Sequence, residues 1–209
     1  MRKDDWYRNP RWNSQIEAEF QARLARARSQ RDQYLVIQAI TIEATHPRIA
    51  LKLVNQYFET KESTFHDVRA LNARANAYVA LGDDARAVEA MKAVLEIESA
   101  HSNQKTHTFV DYPYLVATRG LRPEFMAALS VLDARYGDAA FPASKFKWHA
   151  SKSFIHLGMN EIDLAKKHAR LALDVAQLKR SGFHWHQSLG LVGPEYRAAI
   201  DRLQKILDK

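Results

Sequence analysis

The sequence predicts an all-α chain of about four helical hairpins stacked side by side, an α-solenoid. Three observations carry this reading. Apolar residues recur at the 3.6-residue spacing of one helix face along most of the chain. Gly and Pro, at 7 and 6 of 209 residues, are too scarce for a turn-rich fold. Small residues return with a period near 38 residues, as expected of two-helix units that bury their apolar faces only against one another.

The elements follow in order. Residues 1–13 form an N-terminal arm with Trp6, Tyr7 and Trp12 around the break Asn9-Pro10. Aromatics this dense are rarely left in water, so the arm is expected to fold back on the first helices, with docking of a partner as the alternative. Asn13-Ser14 opens the first helix, with Glu17 three residues after Ser14 in a capping-box pattern, and Ile16, Phe20, Leu24 and Ala27 mark its face. A second helix over 32–43 is apolar on most sides and so expected to be buried on more than one. Pro47 suits the first turn of the third. A helix then ends at Leu81-Gly82, where Gly supplies the left-handed cap, and Asp83-Asp84 places negative charge at the positive end of the next. A polar loop is expected at 99–106, a short helix over 112–120, a further helix opened by Pro123, a pair over 146–158 and 160–178, a hook over 182–193 and a capping helix from about 194 to 207. Residues 14–181 thus hold the hairpins and 182–209 the hook and cap of one continuous domain.

The segment Ala77 to Gly82 parallels Ser153 to Gly158. The small residues that open the second helix of each pair are Ala50, Ala87, Ala127 or Ala128, and Ala165, spaced 37, then 40 or 41, then 38 or 37 residues apart. Within this pattern residues 70–99 resemble a tetratricopeptide repeat. Tyr78, Gly82, Ala87, Met91 and Val94-Leu95 occupy its aromatic, turn, small and bulky places, and Phe154, Gly158, Ala165, Ala169 and Ala172-Leu173 occupy them with two extra residues after the turn. Ala75 stands where the family usually has Gly, and Ser99 where it often has Pro. The resemblance implies a right-handed solenoid whose first helices line a concave groove. It places Arg69, Asn72 and Asn76 in that groove, with Lys145, Trp148, His149 and Lys152 from the later repeat and Tyr112 and Arg119 from the middle hairpin. Amides grip a peptide backbone, cations attract carboxylates and aromatics supply contact area. The implied function is a non-catalytic scaffold or adaptor that holds a peptide or protein, acidic in character, in a polar, basic groove.

Composition limits the other function classes. There is no cysteine, which excludes disulfides, thiol nucleophiles and Cys-based zinc sites and fits a reducing, cytoplasmic setting. The first residues are charged and aromatic with no apolar stretch behind them, so neither a signal peptide nor a membrane span is expected. No phosphate-binding glycine loop, nucleophile elbow or HExxH motif occurs, so no catalytic residue, cofactor or metal is assigned. Of nine histidines, His149 and His156 lie seven apart on one side of a helix, and His184 and His186 flank Trp185. They are expected to be surface or capping residues. The net charge of +7 is uneven: residues 1–31 carry eight Lys/Arg against four Asp/Glu, and 141–190 carry eight against three. Basic ends of this kind serve solubility or attract acidic protein or nucleic acid. A nucleic-acid-associated accessory role is therefore the alternative function, an enzyme or metal protein is the third hypothesis, and a subunit role in a bacterial-type assembly is a further one.

Overall fold

The computed structural model describes residues 5–101 and 105–208, and every described regular element is helical. Ten α-helices follow in order: α1 (Ser14–Arg26), α2 (Arg31–Ile42), α3 (Pro47–Thr60), α4 (Asp67–Leu81), α5 (Asp84–Ala100), α6 (Thr108–Arg119), α7 (Phe125–Arg135), α8 (Pro142–Gly158), α9 (Ile162–Ala176) and α10 (Arg197–Leu207). They gather into two compact units, Met1–Lys105 and Thr106–Lys209. Residues 1–4, and residues 102–104 of the loop expected at 99–106, lie outside the described residues.

In the first unit, α2 packs on α3, α4 on α3 and α5, and α2 also touches α4. Local chemistry sets the helix ends. The Asn13 side chain accepts the Ile16 amide at 2.9 Å and caps α1. Asn13 thus takes the capping role, and Glu17 instead pairs with Lys52 of α3 at 2.6 Å. Pro47 occupies the first turn of α3, Gly82 turns left-handed at φ 73° after α4, and the Asp83 carboxylate caps α5 through the Arg86 amide. Helix α5 runs through Ser99 to Ala100, two residues into the segment expected to be loop. The arm folds back as expected. Trp6 lies 5.3 Å from Phe20 and 4.9 Å from Tyr34, ring centre to ring centre, and Trp12 lies 5.6 Å from Phe20. Gln38, fully buried in α2, fastens the arm at both ends of its amide. It accepts from the Asn9 amide at 3.0 Å and donates to the Asn9 carbonyl at 2.8 Å.

In the second unit, α6 packs on α7 and α8, α8 on α9, and α9 on α10. Helix α6 starts a turn before the expected Tyr112, where the Thr106 hydroxyl accepts the Thr108 amide at 3.2 Å, and it carries Pro113 within it. Pro142 opens α8 four residues before the expected Phe146. The expected hook at 182–193 has no regular helix. It is tied down by the Ala143 amide, which donates to the Gly190 carbonyl at 2.7 Å. Gly190 sits at φ 67°, and a Cβ there would meet Phe141 at 2.6 Å, so two separate constraints require glycine.

The periodic small residues sit where helices approach most closely. Ala50, Ala87, Ala128 and Ala165 are all fully buried, and Ala128 rather than the exposed Ala127 takes that place in α7. An added isopropyl group has no room in such a seam. Ala87→Leu is expected to cost roughly 1–3 kcal/mol by overpacking. Gln38→Ala, which orphans both backbone groups of Asn9, is expected to cost about 2 kcal/mol. Urea unfolding of each variant measures both losses.

Candidate functional site

Helix α4 presents two stripes one residue out of step. Ala70, Ala73 and Ala77 are fully buried. Arg69, Asn72 and Asn76, one position earlier in each case, repeat at three- and four-residue spacing on an adjoining face. Arg69 and Asn76 are exposed and Asn72 is half-buried. The partner helix is α2. Asn76 donates to Glu43 Oε1 at 2.8 Å, just past the C-terminal end of α2. At the other end, Asp32 of α2 accepts the Glu62 amide at 3.1 Å and lies near His66, just before α4. The two helices therefore run in the same direction and share one polar strip. Its N-terminal end opens into a cleft of about 370 Å3 lined by Arg28, Arg31, Asp32, Glu62 and His66, among others.

The electrostatics of the strip differ at its two ends. Burial and then the Arg69 charge hold the His66 imidazole below its ordinary pKa. Burial raises the Glu43 carboxyl to about 7, and the Asn76 hydrogen bond only partly offsets this. Glu43 Oε2 is buried with no hydrogen-bond partner.

The second unit treats its groove candidates differently. Tyr112 is buried, and its hydroxyl donates to Glu124 at 2.7 Å. Trp148 is buried, and its indole N–H donates to the Leu132 carbonyl of α7 at 3.0 Å. His149 is buried against His168 of α9, with the two Nδ1 atoms 3.1 Å apart. Lys152 pairs with Asp133 of α7, and its ammonium lies 4.5 Å from the Trp148 ring centre. Tyr112, Trp148 and His149 therefore do not line an open face. Helix α8 is covered on several sides at once, so the register that faces outward on α4 faces neighbouring helices on α8. Lys145 on α8 and Arg119 at the end of α6 stay exposed.

His149 also departs from the surface position expected of it. The ring centres of His149 and His156 lie 5.4 and 5.8 Å from that of His168, the first pair tilted and the second stacked; His156 in turn meets Glu161. Burial first, and then the Lys152 charge, push His149 down to about 4. Burial and then His149 itself push His168 to about 4. Both rings are neutral at pH 7, with one ring nitrogen donating and the other accepting. His168 was legible in the sequence, since it falls on the stripe Ala165, His168, Ala169, Ala172 that α9 buries. Glu43 carried no comparable signal. Among the described residues no three His, Asp or Glu side chains converge so as to hold a metal ion. No described helix is long and apolar enough to cross a membrane.

The aromatics of the N-terminal arm are used in the first unit's packing. Trp185, 86% exposed beside His184, is the most open large aromatic among the described residues. Comparison of the chain with family models, curated proteins and solved structures finds no match.

Two pH dependences follow. The raised folded pKa of Glu43 means that the folded chain binds more protons than the unfolded chain between pH 4.5 and 7. Its stabilising contribution is complete below that window and is lost as pH rises through it. Glu43→Gln is therefore expected to stabilise the first unit at pH 8 by on the order of 1 kcal/mol, a figure reduced for its partial exposure, and to leave stability at pH 4.5 nearly unchanged. The lowered His149 and His168 pKa values act oppositely: stability is complete above pH 6.5 and falls as pH drops toward 4. Thermal melts from pH 8 to pH 4 are expected to show that acid-side loss, and His149→Phe with His168→Leu to flatten it.

Proposed function

We propose that this chain is a non-catalytic interaction module of the tetratricopeptide-repeat kind, which captures an extended segment of a partner protein along the polar strip of α2 and α4. The observation that carries the reading is the α4 stripe of Arg69, Asn72 and Asn76, displayed beside a parallel helix while the adjoining Ala stripe is buried. Side-chain amides at one-turn intervals match the alternating N–H and C=O groups of an extended backbone. Arg69 adds a site for a carboxylate. The pairing of α2 with α3 and α4 with α5, with α2 against α4, supports a tetratricopeptide-like stacking within the first unit. Because Trp148, His149 and Lys152 are engaged within the second unit, the peptide strip is assigned to the first. A reducing cytoplasm suits a chain without cysteine.

The reading is tested with the full chain and an array of random nonapeptides blocked at both termini. The wild type is expected to retain a reproducible subset of peptides. Arg69→Glu combined with Asn72→Ala, with unchanged circular dichroism, is expected to lose at least tenfold in signal. An array with no retention above background overturns the reading.

A second reading, association with nucleic acid, is favoured by one observation, the exposed Trp185, with the basic pair Lys179-Arg180 six and five residues before it in the chain. Such a platform stacks on unpaired bases. It predicts a gel shift with single-stranded oligonucleotide that weakens steeply with salt and on Trp185→Ala; no shift at low salt removes it.

A further inference from the structure

Glu43 is placed where a carboxylate is least comfortable. It follows Ile42 at the C-terminal end of α2, where the aligned peptide dipoles of the helix already concentrate negative charge. The last turn of α2 contains no basic residue. Burial and the neutral amide of Asn76 account for what acts on the carboxyl, so no cation of the described chain answers it. One carboxyl oxygen accepts from Asn76, and the other is buried without a hydrogen-bond partner. Other carboxylates of the first unit are answered within the chain: Asp67 pairs with Lys61 at 2.6 Å and Glu17 with Lys52 at 2.6 Å.

We propose that Glu43 and Asn76 form a subsite for a cationic side chain, lysine or arginine, of the peptide that the α2–α4 strip captures. This rests on the peptide-capture reading above and gives it a charge requirement at one point. The exposed Asn76 is the movable part. It turns aside or shares its acceptor, and the incoming ammonium or guanidinium takes up the carboxylate with a charge-assisted hydrogen bond stronger than the amide provides. Ile40, one turn before Glu43 on α2 and 36% exposed, offers an apolar surface for the aliphatic stem of that side chain. Arg69, seven residues earlier on α4, repels a cation from the opposite end of the strip. The charge pattern therefore fixes the direction in which a peptide lies, basic residue toward Glu43 and acidic groups toward Arg69.

The subsite titrates. Glu43 is about half ionised near pH 7, and only its ionised form attracts the cation. The groups facing it that bear on this are the uncharged Asn76 and the backbone end of α2, so the carboxyl itself sets the pH profile.

The blocked nonapeptide array, probed at pH 8 where histidine is neutral, provides the test, since blocked termini then leave lysine and arginine as the cation sources. Wild-type full chain is expected to retain peptides enriched in Lys or Arg at one position. Glu43→Gln, folded and no less stable at pH 8, is expected to retain peptides without that enrichment. Glu43→Lys is expected to reverse the preference to Asp or Glu. For a retained Lys-bearing peptide measured by fluorescence anisotropy, affinity is expected to fall about tenfold from pH 8 to pH 6 in the wild type, as ionised Glu43 is lost, and not to fall in Glu43→Gln. Peptides retained without basic enrichment, or enrichment unaltered by Glu43→Gln, overturn the subsite and leave the capture reading standing. Absence of any retained peptide overturns both.

Discussion

Paired helices approach only as closely as the side chains between them permit, and in this chain alanines set that distance. Ala50, Ala87, Ala128 and Ala165 each enter a helix with no exposed surface left, and Ala70, Ala73 and Ala77 line the buried side of α4. Close approach turns a weakly apolar helix into a well-buried one, because backbone and Cβ contacts replace the large side chains that α4 lacks. It also fixes rotation. Once the Ala stripe of α4 is seated, Arg69, Asn72 and Asn76 are turned to the adjoining face, and Asn76 comes within hydrogen-bond distance of Glu43. The polar strip is thus a consequence of where the small residues are.

The same constraint gives a different result on α8. That helix contacts α6, α7, α9 and α10, so its polar residues must be satisfied inside the unit. Lys147 reaches Asp111 of α6 at 2.6 Å. Burial works against its ammonium most strongly, yet the Asp111 charge and hydrogen bond, joined by Tyr196, together outweigh it and hold the pKa above the ordinary lysine value. Ser153 donates to the Ala165 carbonyl at 2.8 Å, and Trp148 and His149 are each hydrogen-bonded across to a neighbouring helix. A buried polar group without a partner costs more than an apolar one, so these side chains serve cohesion and specificity of packing. Two helices that read alike in sequence carry their polar residues to opposite ends, solvent on α4 and the interior on α8.

Much of the fold was legible because the signals are local. Gly82 and Asp83 set a helix end through backbone conformation and one hydrogen bond, which depend on a few neighbouring residues. Pro47 works in the same way. Boundaries slipped where a second local device competed, as at Thr106 before α6 and Pro142 before α8. The site was legible in part. Arg69, Asn72 and Asn76 follow from helical spacing on α4, whereas Tyr112, Trp148 and His149 were placed by the same spacing and proved to be buried. Spacing identifies residues that share a face but not what lies against that face.

The residues alone determined that this chain is helical, where most of its helices begin and end, and that Ala50, Ala87 and Ala165 fall in the seams; they left the choice between Ala127 and Ala128, and between a packed and a docking N-terminal arm, to the tertiary structure. These depend on backbone preference and apolar periodicity, both written over short stretches. The tertiary structure alone decided that Glu43 meets Asn76 across thirty-three positions of chain, that His149 meets His168, and that α8 is enclosed. Those pairings depend on how several helices pack together, and burial, desolvation and the loss of a counter-charge arise only when distant segments are brought into contact.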